Sequence, residues 1–372
     1  MYIEPFGGEI WMNEWETKCA HNLAETCVES LTIEELLKLA GQNASDLSSL
    51  LPMKMTYGDI RGSERLLTAI SGLYQRQMPE NIIVTHGTIG ANMLVHRALV
   101  GRGDRVVAVG PTYQQHYSLP ASFGAEVVPL MLRADDGFLP DLDALRALVT
   151  PGTKMIAINN PNNPTGALMD QKMLEEIAGI AREVGAYILC DEVYRGTDQA
   201  GTGMTVSIAD VYEKGISTAG MSKAFSLAGL RLGWVAGPSE VIEAVSVHRD
   251  YDTISVGKLD DYFAALALEN RDRVLARSQR ITRENLGLLA DWVAAEPGID
   301  WIKPKSGTVT LLKYDAPVGS HEFCVRLMEE EGVLFTPGSA FDMEGYIRIG
   351  FANPKAELKA GVQRVSAFLL RL

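Results

Sequence analysis

Residues 155–166 read MIAINNPNNPTG, an apolar run that continues directly into a cluster of asparagine, proline and glycine. The run has the composition of a buried strand, and the cluster after it is typical of a rigid loop. Similar short runs, rich in valine and isoleucine, alternate with stretches of helical periodicity. They cover residues 82–85, 105–109, 127–130, 187–190, 216–218 and 233–236. Near-continuous apolar strands that alternate with helices indicate a sheet covered on both faces, and therefore an α/β fold.

The two ends of the chain have a different pattern from the middle. Trp11 and Trp15 have the i, i+4 spacing that places two residues on one helix face. Thr32 followed by Glu35 predicts a capped helix start. A long helical stretch is predicted from about residue 255 to about residue 295, and a smaller α+β unit follows it. The elements predicted for that unit are strands at 309–312, 333–335 and 346–349 and helices near 320–331 and from about 354 onward.

Composition and charge narrow the possible functions. The 372 residues include 34 Lys and Arg against 47 Asp and Glu, a formal net charge of −13, and 47% are hydrophobic. This composition is that of a globular protein, and its acidity argues against binding nucleic acid or an anionic membrane. The start of the sequence lacks the pattern of a secretory signal, and no apolar run is long enough for a membrane helix. Scattered cysteines without a C-x-x-C pair favour reduced thiols in the cytoplasm, and the histidines show no metal-binding spacing.

Residues suited to chemistry follow several of the predicted strands. Asp191 comes directly after the run at 187–190, with Tyr194 close behind, and Lys223 follows the run at 216–218. In open α/β sheets, ligands bind beyond the carboxyl ends of the strands. The glycine turn that begins at Gly87 follows the first strand and opens a helix, whose free N–H groups and dipole suit an anion. Arg231 adds a planar guanidinium, which also suits an anion.

The order and spacing of these motifs resemble the fold-type I enzymes that depend on pyridoxal 5′-phosphate (PLP), specifically the class I/II aminotransferases. The motifs are the glycine turn, Pro-Thr-Tyr at 111–113, Asn-Asn-Pro-Thr-Gly, Asp-Glu-Val-Tyr, Ser-Lys, and an arginine eight residues after the lysine. The resemblance extends from about Tyr57 to Arg348. It implies a large domain with a mostly parallel seven-stranded sheet sandwiched by helices, formed by residues 48–295. It also implies a small α+β domain built from residues 1–47 and 296–372.

The resemblance assigns catalytic roles to three residues. Lys223 would form the internal aldimine with PLP and then move the substrate's α-proton as general base and acid. We expect burial and neighbouring cations to lower the pKa of Lys223, since the reactive amine must be neutral. Asp191 would pair with the pyridine nitrogen and keep the ring cationic, so that it accepts electrons. Tyr194 would donate a hydrogen bond to the phenolic oxygen of the cofactor. Each residue also has an ordinary structural alternative: a solvated lysine, a helix N-cap and a core tyrosine.

Further residues would hold the cofactor. Asn163 would share the phenolic oxygen with Tyr194, and Tyr113 would stack on the pyridine ring. The phosphate would be held by Gly87, Thr88, Ile89, Ser222 and Arg231. Tyr57 matches the family tyrosine that reaches the phosphate of the neighbouring subunit, so the resemblance implies a homodimer with shared active sites. Turn formation and ordinary packing are the alternatives for Tyr57, Asn163 and Tyr113.

Arg348 matches the family pattern at the substrate end of the site, whereas two other positions depart from that pattern. Arg348 and Asn163 would bind the α-carboxylate of an amino acid; the alternative for Arg348 is a structural carboxylate partner. Position 220, three residues before the lysine, is glycine where many relatives have a phosphate-binding serine, and Ser222 is the candidate replacement. Glu25 occupies a segment where relatives often have a Gly-x-Pro signature. It is hypothesised to recognise a cationic side chain such as guanidinium, and the alternative is a solvent-exposed glutamate.

The sequence therefore predicts a PLP-dependent aminotransferase that transfers the α-amino group of an amino acid to a keto acid by ping-pong chemistry. A different PLP reaction is the first alternative: an oxidase, lyase or cyclase that acts on an amino acid such as arginine in specialised metabolism. A regulator that uses the fold only to bind a ligand is the second. The presence of Lys223, Asp191 and Arg348 favours an enzyme over a regulator.

Overall fold

The computed structural model describes residues 2–372 and is organised around a seven-stranded sheet. The strands are β1 (His21–Asn22), β2 (Ile82–His86), β3 (Arg105–Gly110), β4 (Glu126–Met131), β5 (Thr153–Asn159), β6 (Tyr187–Asp191), β7 (Gly215–Gly220), β8 (Leu232–Ala236), β9 (Ile299–Trp301), β10 (Val309–Tyr314), β11 (Val333–Leu334), β12 (Thr336–Pro337) and β13 (Tyr346–Gly350). The order across the large sheet is β2-β8-β7-β6-β5-β3-β4, and only β8 runs antiparallel to its neighbours. The predicted α/β fold with a mostly parallel seven-stranded sheet is confirmed.

Helices cover both faces of this sheet because its strands are apolar on both sides. The helices are α1 (Gly7–Trp15), α2 (Ile33–Leu39), α3 (Glu64–Ser71), α4 (Gly87–Leu99), α5 (Gln115–Ser122), α6 (Leu142–Leu148), α7 (Gln171–Val184), α8 (Ile208–Val211), α9 (Ser239–Arg249), α10 (Lys258–Glu269), α11 (Arg271–Ala295), α12 (Ser320–Glu331) and α13 (Lys355–Leu369). Neighbouring residues of β5 enter different cores: Ile156 packs in the cluster that includes Leu174 of α7, whereas Met155 packs with Leu94 of α4. This two-sided burial explains the continuous apolar strand runs.

A second, four-stranded sheet is built by the C-terminal part of the chain. Its order is β12-β13-β10-β9, and all its pairings are antiparallel. The N-terminal segment joins this region, because β1 pairs in parallel with β11 and Trp11 donates a hydrogen bond to the carbonyl of Phe335 at 2.8 Å. Residues from both ends of the chain therefore share one core, which includes Leu23, Phe335 and Phe368.

The proposed division into residues 48–295 and two end segments remains a prediction, and the packing suggests how its limits could be adjusted. Leu36 and Leu37 of α2 pack in the same core as Leu66 and Trp234, on the side of the large sheet. We therefore propose an N-terminal boundary before α2 rather than at residue 47. Leu289, near the end of α11, packs in the core shared by the two chain ends. The second boundary then falls within α11.

Local sequence signals account for several element ends. Thr32 accepts a hydrogen bond from the N–H of Glu35, whose carboxylate accepts from the N–H of Thr32, so the predicted capping box is confirmed. The long helical stretch predicted for 255–295 is in fact two helices, since Asn270 leaves the helical conformation between α10 and α11. Within residues 2–372, no helix is both long enough and apolar enough to cross a membrane.

Candidate active site

A cavity of about 330 Å³ lies beyond the carboxyl ends of β5, β6 and β7. The N-terminal segment closes one side of it through α1 and the turn at residues 24–26, and Phe341 and Arg348 close another. Of the predicted site residues, the structure brings the following to the cavity wall: Glu25, Thr88, Ile89, Tyr113, Asn163, Asp191, Tyr194, Ser222, Lys223, Arg231 and Arg348. Gly87 begins α4 beside Thr88, whereas Tyr57 lies outside the cavity with 75% of its surface exposed.

Lys223 projects into the cavity against the N-terminal segment. Its Nζ lies 2.5 Å from Thr26 Oγ1 and 3.5 Å from Cys27 Sγ. Burial lowers the pKa of Lys223, but the Cys27, Tyr194 and Glu25 side chains outweigh burial, and the net pKa shift is upward. Burial therefore acts in the direction expected from the sequence, but the groups that oppose it are the titratable side chains of Cys27, Tyr194 and Glu25 and not the expected cations, so a net lowering is not found.

Thr26 and Cys27 were missed by the sequence reasoning, although they contact the most important residue of the site. Burial raises the pKa of Cys27 to about 11, so at neutral pH the side chain is a neutral thiol. A thiol at this position offers a weak hydrogen-bond acceptor to the amine of Lys223 and little charge. The two residues are almost two hundred positions from Lys223 in the chain, and no local pattern links them to it.

Asp191 is buried and held in a fixed orientation. Asn92 donates a hydrogen bond to Asp191 Oδ2 at 2.8 Å, and the N–H of Val193 donates to Oδ1 at 3.1 Å. His116 Nε2 lies 3.8 Å from Oδ2, and the ring of His116 packs against that of His96 at 5.7 Å. Asn92 lies four positions after Thr88 in α4, so a helical reading of the glycine turn could have found it.

The start of α4 forms an anion-binding cradle. Gly87 has a left-handed backbone with φ of +69°, and Arg231 lies so close that a Cβ atom on Gly87 would be 3.0 Å from the guanidinium. Thr88 Oγ1 is buried and has no hydrogen-bond partner within residues 2–372. Arg231 Nη1 also lies 3.5 Å from Ser222 Oγ. Backbone N–H groups, an unpaired hydroxyl and a guanidinium therefore converge at one end of the cavity.

The glycine at position 220 is explained by this cradle. A Cβ atom on Gly220 would lie 2.5 Å from Thr88 Oγ1 and 2.9 Å from the carbonyl oxygen of Leu232. Contacts this short do not occur in well-packed proteins, so the space that a serine would need is already occupied. The hydroxyl of Thr88 lies directly against the backbone of Gly220.

Arg348 is a buried cation without an anionic partner in the part of the chain described. Its side chain, on β13, is only 6% exposed and donates hydrogen bonds to Asn163 Oδ1 at 3.1 Å and Thr336 Oγ1 at 3.0 Å. Its Nε has no partner among residues 2–372. Burial lowers the pKa of Arg348, although Tyr194 and Glu25 act in the opposite direction. Because an unpaired buried charge costs free energy, a ligand with a carboxylate would suit this guanidinium.

The loop after β5 places Asn163 beside Arg348. The N–H of Asn163 donates to Asn159 Oδ1 at 2.6 Å, and Thr165 donates to Asn162 Oδ1 at 2.6 Å. Asn162 in turn donates to the carbonyl of Pro111 at 3.1 Å. The asparagines therefore satisfy the loop's own backbone, as expected for a rigid loop, and leave the Asn163 side chain directed at the cavity.

Tyrosine side chains form the remaining polar part of the wall. Tyr113 donates a hydrogen bond to Glu9 at 2.8 Å and its ring lies 4.7 Å from that of Phe6. Burial and the carboxylate of Glu9 raise the pKa of Tyr113, and burial also raises that of Tyr194, although Lys223 and Arg348 oppose it. Both phenols are therefore protonated hydrogen-bond donors at neutral pH.

This donor set fits a phosphorylated pyridine aldehyde. The cradle at Gly87, Thr88 and Arg231 suits a phosphate dianion, and the unpaired Thr88 hydroxyl provides a donor for it. The buried carboxylate of Asp191 suits a protonated ring nitrogen, and the amine of Lys223 suits an aldehyde. These groups lie in one cavity, so a single cofactor can contact all of them.

Comparisons with known proteins agree with this interpretation. The family model "Aminotransferase class I and II" matches residues 31–365. Capreomycidine synthase of Streptomyces vinaceus is 30% identical over 361 residues, which cover 96% of this chain and 92% of the relative. A PLP-dependent aminotransferase from Streptococcus suis 89-1591 has a TM-score of 0.97 and 43% identity, with 100% of this chain and 99% of that chain covered. The PLP-dependent cyclase OrfR has a TM-score of 0.91 and 28% identity, with 100% and 98% covered.

These matches cover nearly the whole chain and not only the residues of the cavity. The match of the family model spans the glycine turn, the lysine and the strand that carries Arg348. The Streptococcus suis structure has the same fold from one end of the chain to the other. The protein therefore belongs to the class I and II aminotransferase family of fold-type I enzymes, whose cofactor is PLP.

Proposed function

We propose that this protein is an aminotransferase that moves the α-amino group of an amino acid to a keto acid. One observation supports this most directly: the amine of Lys223, the buried carboxylate of Asp191 and the buried guanidinium of Arg348 line a single cavity. The first two groups suit the reactive end and the ring nitrogen of PLP, and the third suits the carboxylate of an amino acid.

The residues of this chain have complementary tasks in the proposed reaction. When bound, PLP supplies an electron sink that makes the α-hydrogen of an amino acid acidic. Arg348 and Asn163 bind the α-carboxylate and orient the α-carbon. Lys223 Nζ would accept the proton from that carbon as general base and later donate it as general acid, while Asp191 would pair with the ring nitrogen of the cofactor. Tyr194 would donate a hydrogen bond to the phenolic oxygen of the cofactor.

A second candidate is a cyclase, oxidase or lyase reaction on the same cofactor. It is favoured by the similarity to capreomycidine synthase and to the cyclase OrfR over nearly the whole chain. Because these reactions begin with loss of the same α-proton, they use the same Lys223, Asp191 and Arg348. The distinction therefore depends on what happens to the substrate side chain.

A homodimer in the cytoplasm completes the proposal. Tyr57 is exposed and lies outside the cavity of its own chain, as a residue that serves a neighbouring subunit would. The cysteines are present as free thiols, which suits a reducing compartment.

The test follows keto-acid formation and oxygen uptake together, with purified holoenzyme and a panel of amino acids. We expect a keto acid, an aminated acceptor and no oxygen uptake. Lys223→Ala should lower the rate by several orders of magnitude, because the proton-transfer group is lost. Lys172→Ala, a change at an exposed position of α7, is the matched control and should be neutral. Oxygen uptake, or a cyclic product without keto acid, would support the second candidate instead.

A further inference from the structure

Besides Asp191, three carboxylates line the same cavity as Lys223 and Arg348, and we call Glu9, Glu16 and Glu25 the acidic wall. Glu9 is on α1, Glu16 follows that helix, and Glu25 is in the turn after β1. None of the three forms an ion pair with a lysine, arginine or histidine in residues 2–372. Glu25 is half-buried, whereas Glu9 and Glu16 line the cavity and are also exposed to solvent.

Glu25 is held in place as an ionised group. One of its oxygens accepts hydrogen bonds from the N–H of Thr26 at 2.7 Å and of Cys27 at 2.8 Å. Burial raises the pKa of Glu25, but Lys223 and these N–H donors outweigh burial, so the net shift is downward. The Cys27 side chain adds a further hydrogen bond to this carboxylate, which also lines the cavity.

The neighbouring carboxylates disfavour ionisation of Glu16. Burial raises the pKa of Glu16, and the charges of Glu25 and Glu9 raise it further, whereas Lys223 lowers it. The amine of Lys223 is thus a cation that compensates the acidic wall. A cofactor held by Lys223 would occupy that nitrogen and would therefore reduce this compensation.

Arg348 is the second, independent observation that points to a ligand here. Arg348 is buried, and its Nε is unpartnered in residues 2–372. It lines the same cavity as the acidic wall and has the opposite charge. A ligand that satisfies both features carries a carboxylate for Arg348 and a positive charge for the glutamates. An α-amino acid with a cationic side chain has these groups at its two ends.

We propose that the acidic wall selects an amino acid with a guanidinium side chain, and this inference rests on the proposed function of the cavity. A guanidinium presents its donors in a planar fork, which can bridge carboxylates from α1 and from the turn at Glu25. An ammonium group is a compact, strongly hydrated point charge, which suits a single carboxylate better than two on separate elements.

The test compares arginine with citrulline, which has the same length and shape but a neutral end group. We expect kcat/KM for arginine to exceed that for citrulline by about tenfold or more, since charge-assisted hydrogen bonds are about twice as strong as neutral ones. Glu25→Gln and Glu16→Gln should each lower this ratio by about fivefold to tenfold. Glutamine keeps the acceptor oxygen for the N–H groups of Thr26 and Cys27, so the turn is preserved.

Glu14→Gln is the matched control, because Glu14 is an exposed residue of α1 that does not line the cavity. It removes the same charge from the same helix and should leave the ratio unchanged. A ratio near one in the unmodified enzyme, or an equal loss in the Glu14 variant, would overturn the proposal.

A binding measurement separates failure of this inference from failure of the proposed reaction. Holoenzyme treated with borohydride has its cofactor fixed to Lys223 and cannot turn over, yet it retains the cavity. Calorimetric titration should show arginine binding about tenfold tighter than citrulline, and Glu25→Gln should remove most of the difference. Tighter binding of arginine without turnover of any amino acid by the untreated enzyme would reject the reaction and keep the selectivity. Keto-acid formation without any preference for arginine would reject the selectivity alone.

Discussion

At the scale of single residues, the packing at the phosphate end of the cavity depends on Gly220, because glycine has no side chain. Thr88 and the backbone of Leu232 occupy the volume that a larger residue would need. We expect Gly220→Ser to lower the free energy of unfolding by about 1–3 kcal/mol, as overpacking of a dense region usually does. It should also weaken PLP binding, because the hydroxyl of Thr88 is displaced. Chemical denaturation and titration of the apoenzyme with PLP measure the two effects.

A paired variant shows whether the collision with Thr88 is the cause. Adding Thr88→Ala to Gly220→Ser removes the closest contact and should recover part of the lost stability, but leave PLP binding weak. Equal stability of Gly220→Ser and the unmodified enzyme would contradict the packing argument. Gly229→Ser is a suitable control, since nothing lies within 4 Å of the position where its Cβ would be.

The positions of site residues could be predicted from the sequence where each residue directly follows a recognisable strand. Lys223 and Asp191 follow predicted strands, so their place at one end of the sheet could be inferred. Thr26 and Cys27 could not, because their contact with Lys223 depends on how the N-terminal segment folds back over the sheet. The functional roles of all these residues remain predictions that the experiments above address.

At the scale of elements, α1 links two parts of the molecule. The N–H of Gly7 donates to Gln114 Oε1 at 2.9 Å, whereas Trp11 donates to the carbonyl of Phe335. The tryptophan spacing predicted an amphipathic helix, and the rings of Trp11 and Trp15 indeed lie 5.8 Å apart. What the spacing could not show is that the same helix carries Glu9 to the cavity wall. A periodic pattern identifies a buried face, but not the partner that buries it.

The capping box of α2 gives an element-scale prediction. Thr32 and Glu35 exchange hydrogen bonds at the helix start, and this helix packs Leu36 and Leu37 into the core of the large sheet. We expect Thr32→Ala to lower the free energy of unfolding by about 1 kcal/mol, because a free N–H at the helix start loses its acceptor. Urea denaturation measures the change. Thr32→Ser keeps the acceptor and should retain stability, and a loss as large as that of alanine would contradict the capping argument.

The boundaries of strands and helices could be predicted where the hydrophobic pattern extends over at least three or four residues. Every predicted strand of the large sheet is present within one or two residues, because most of them are continuous apolar runs; β7, which contains Ser217 and Thr218, is an exception. The very short strands β1, β9 and β12 were missed, since two or three residues carry no periodicity. The division between α10 and α11 at Asn270 was also missed, because the apolar spacing continues on both sides of it. Tertiary pairing, and not local preference, decides such cases.

At the scale of the whole molecule, several of the most exposed apolar residues lie in two neighbouring segments, although Leu370 and Tyr2 are equally exposed elsewhere. Leu51, Met55 and Tyr57 are at least 73% exposed in the first, and Tyr251 is 82% exposed in the second. The segments are adjacent, as Lys258 donates a hydrogen bond to the carbonyl of Lys54 at 3.2 Å. Large exposed side chains grouped in this way mark an interaction surface. They support the proposed homodimer, for which we expect sedimentation at about twice the chain mass of 40.5 kDa.

Tyr57 connects that surface to the cofactor site, since in the proposed dimer its hydroxyl reaches the phosphate bound by the neighbouring subunit. We expect Tyr57→Phe to weaken PLP binding by about tenfold or more, because a hydrogen bond to a charged group is worth about 1.5–3 kcal/mol. Tyr251→Phe, a similarly exposed control, should bind PLP normally. Fluorescence titration of the apoenzymes measures both, and sedimentation shows whether each stays dimeric. Unchanged PLP affinity in a dimeric Tyr57→Phe protein would mean that each subunit holds its phosphate without this tyrosine.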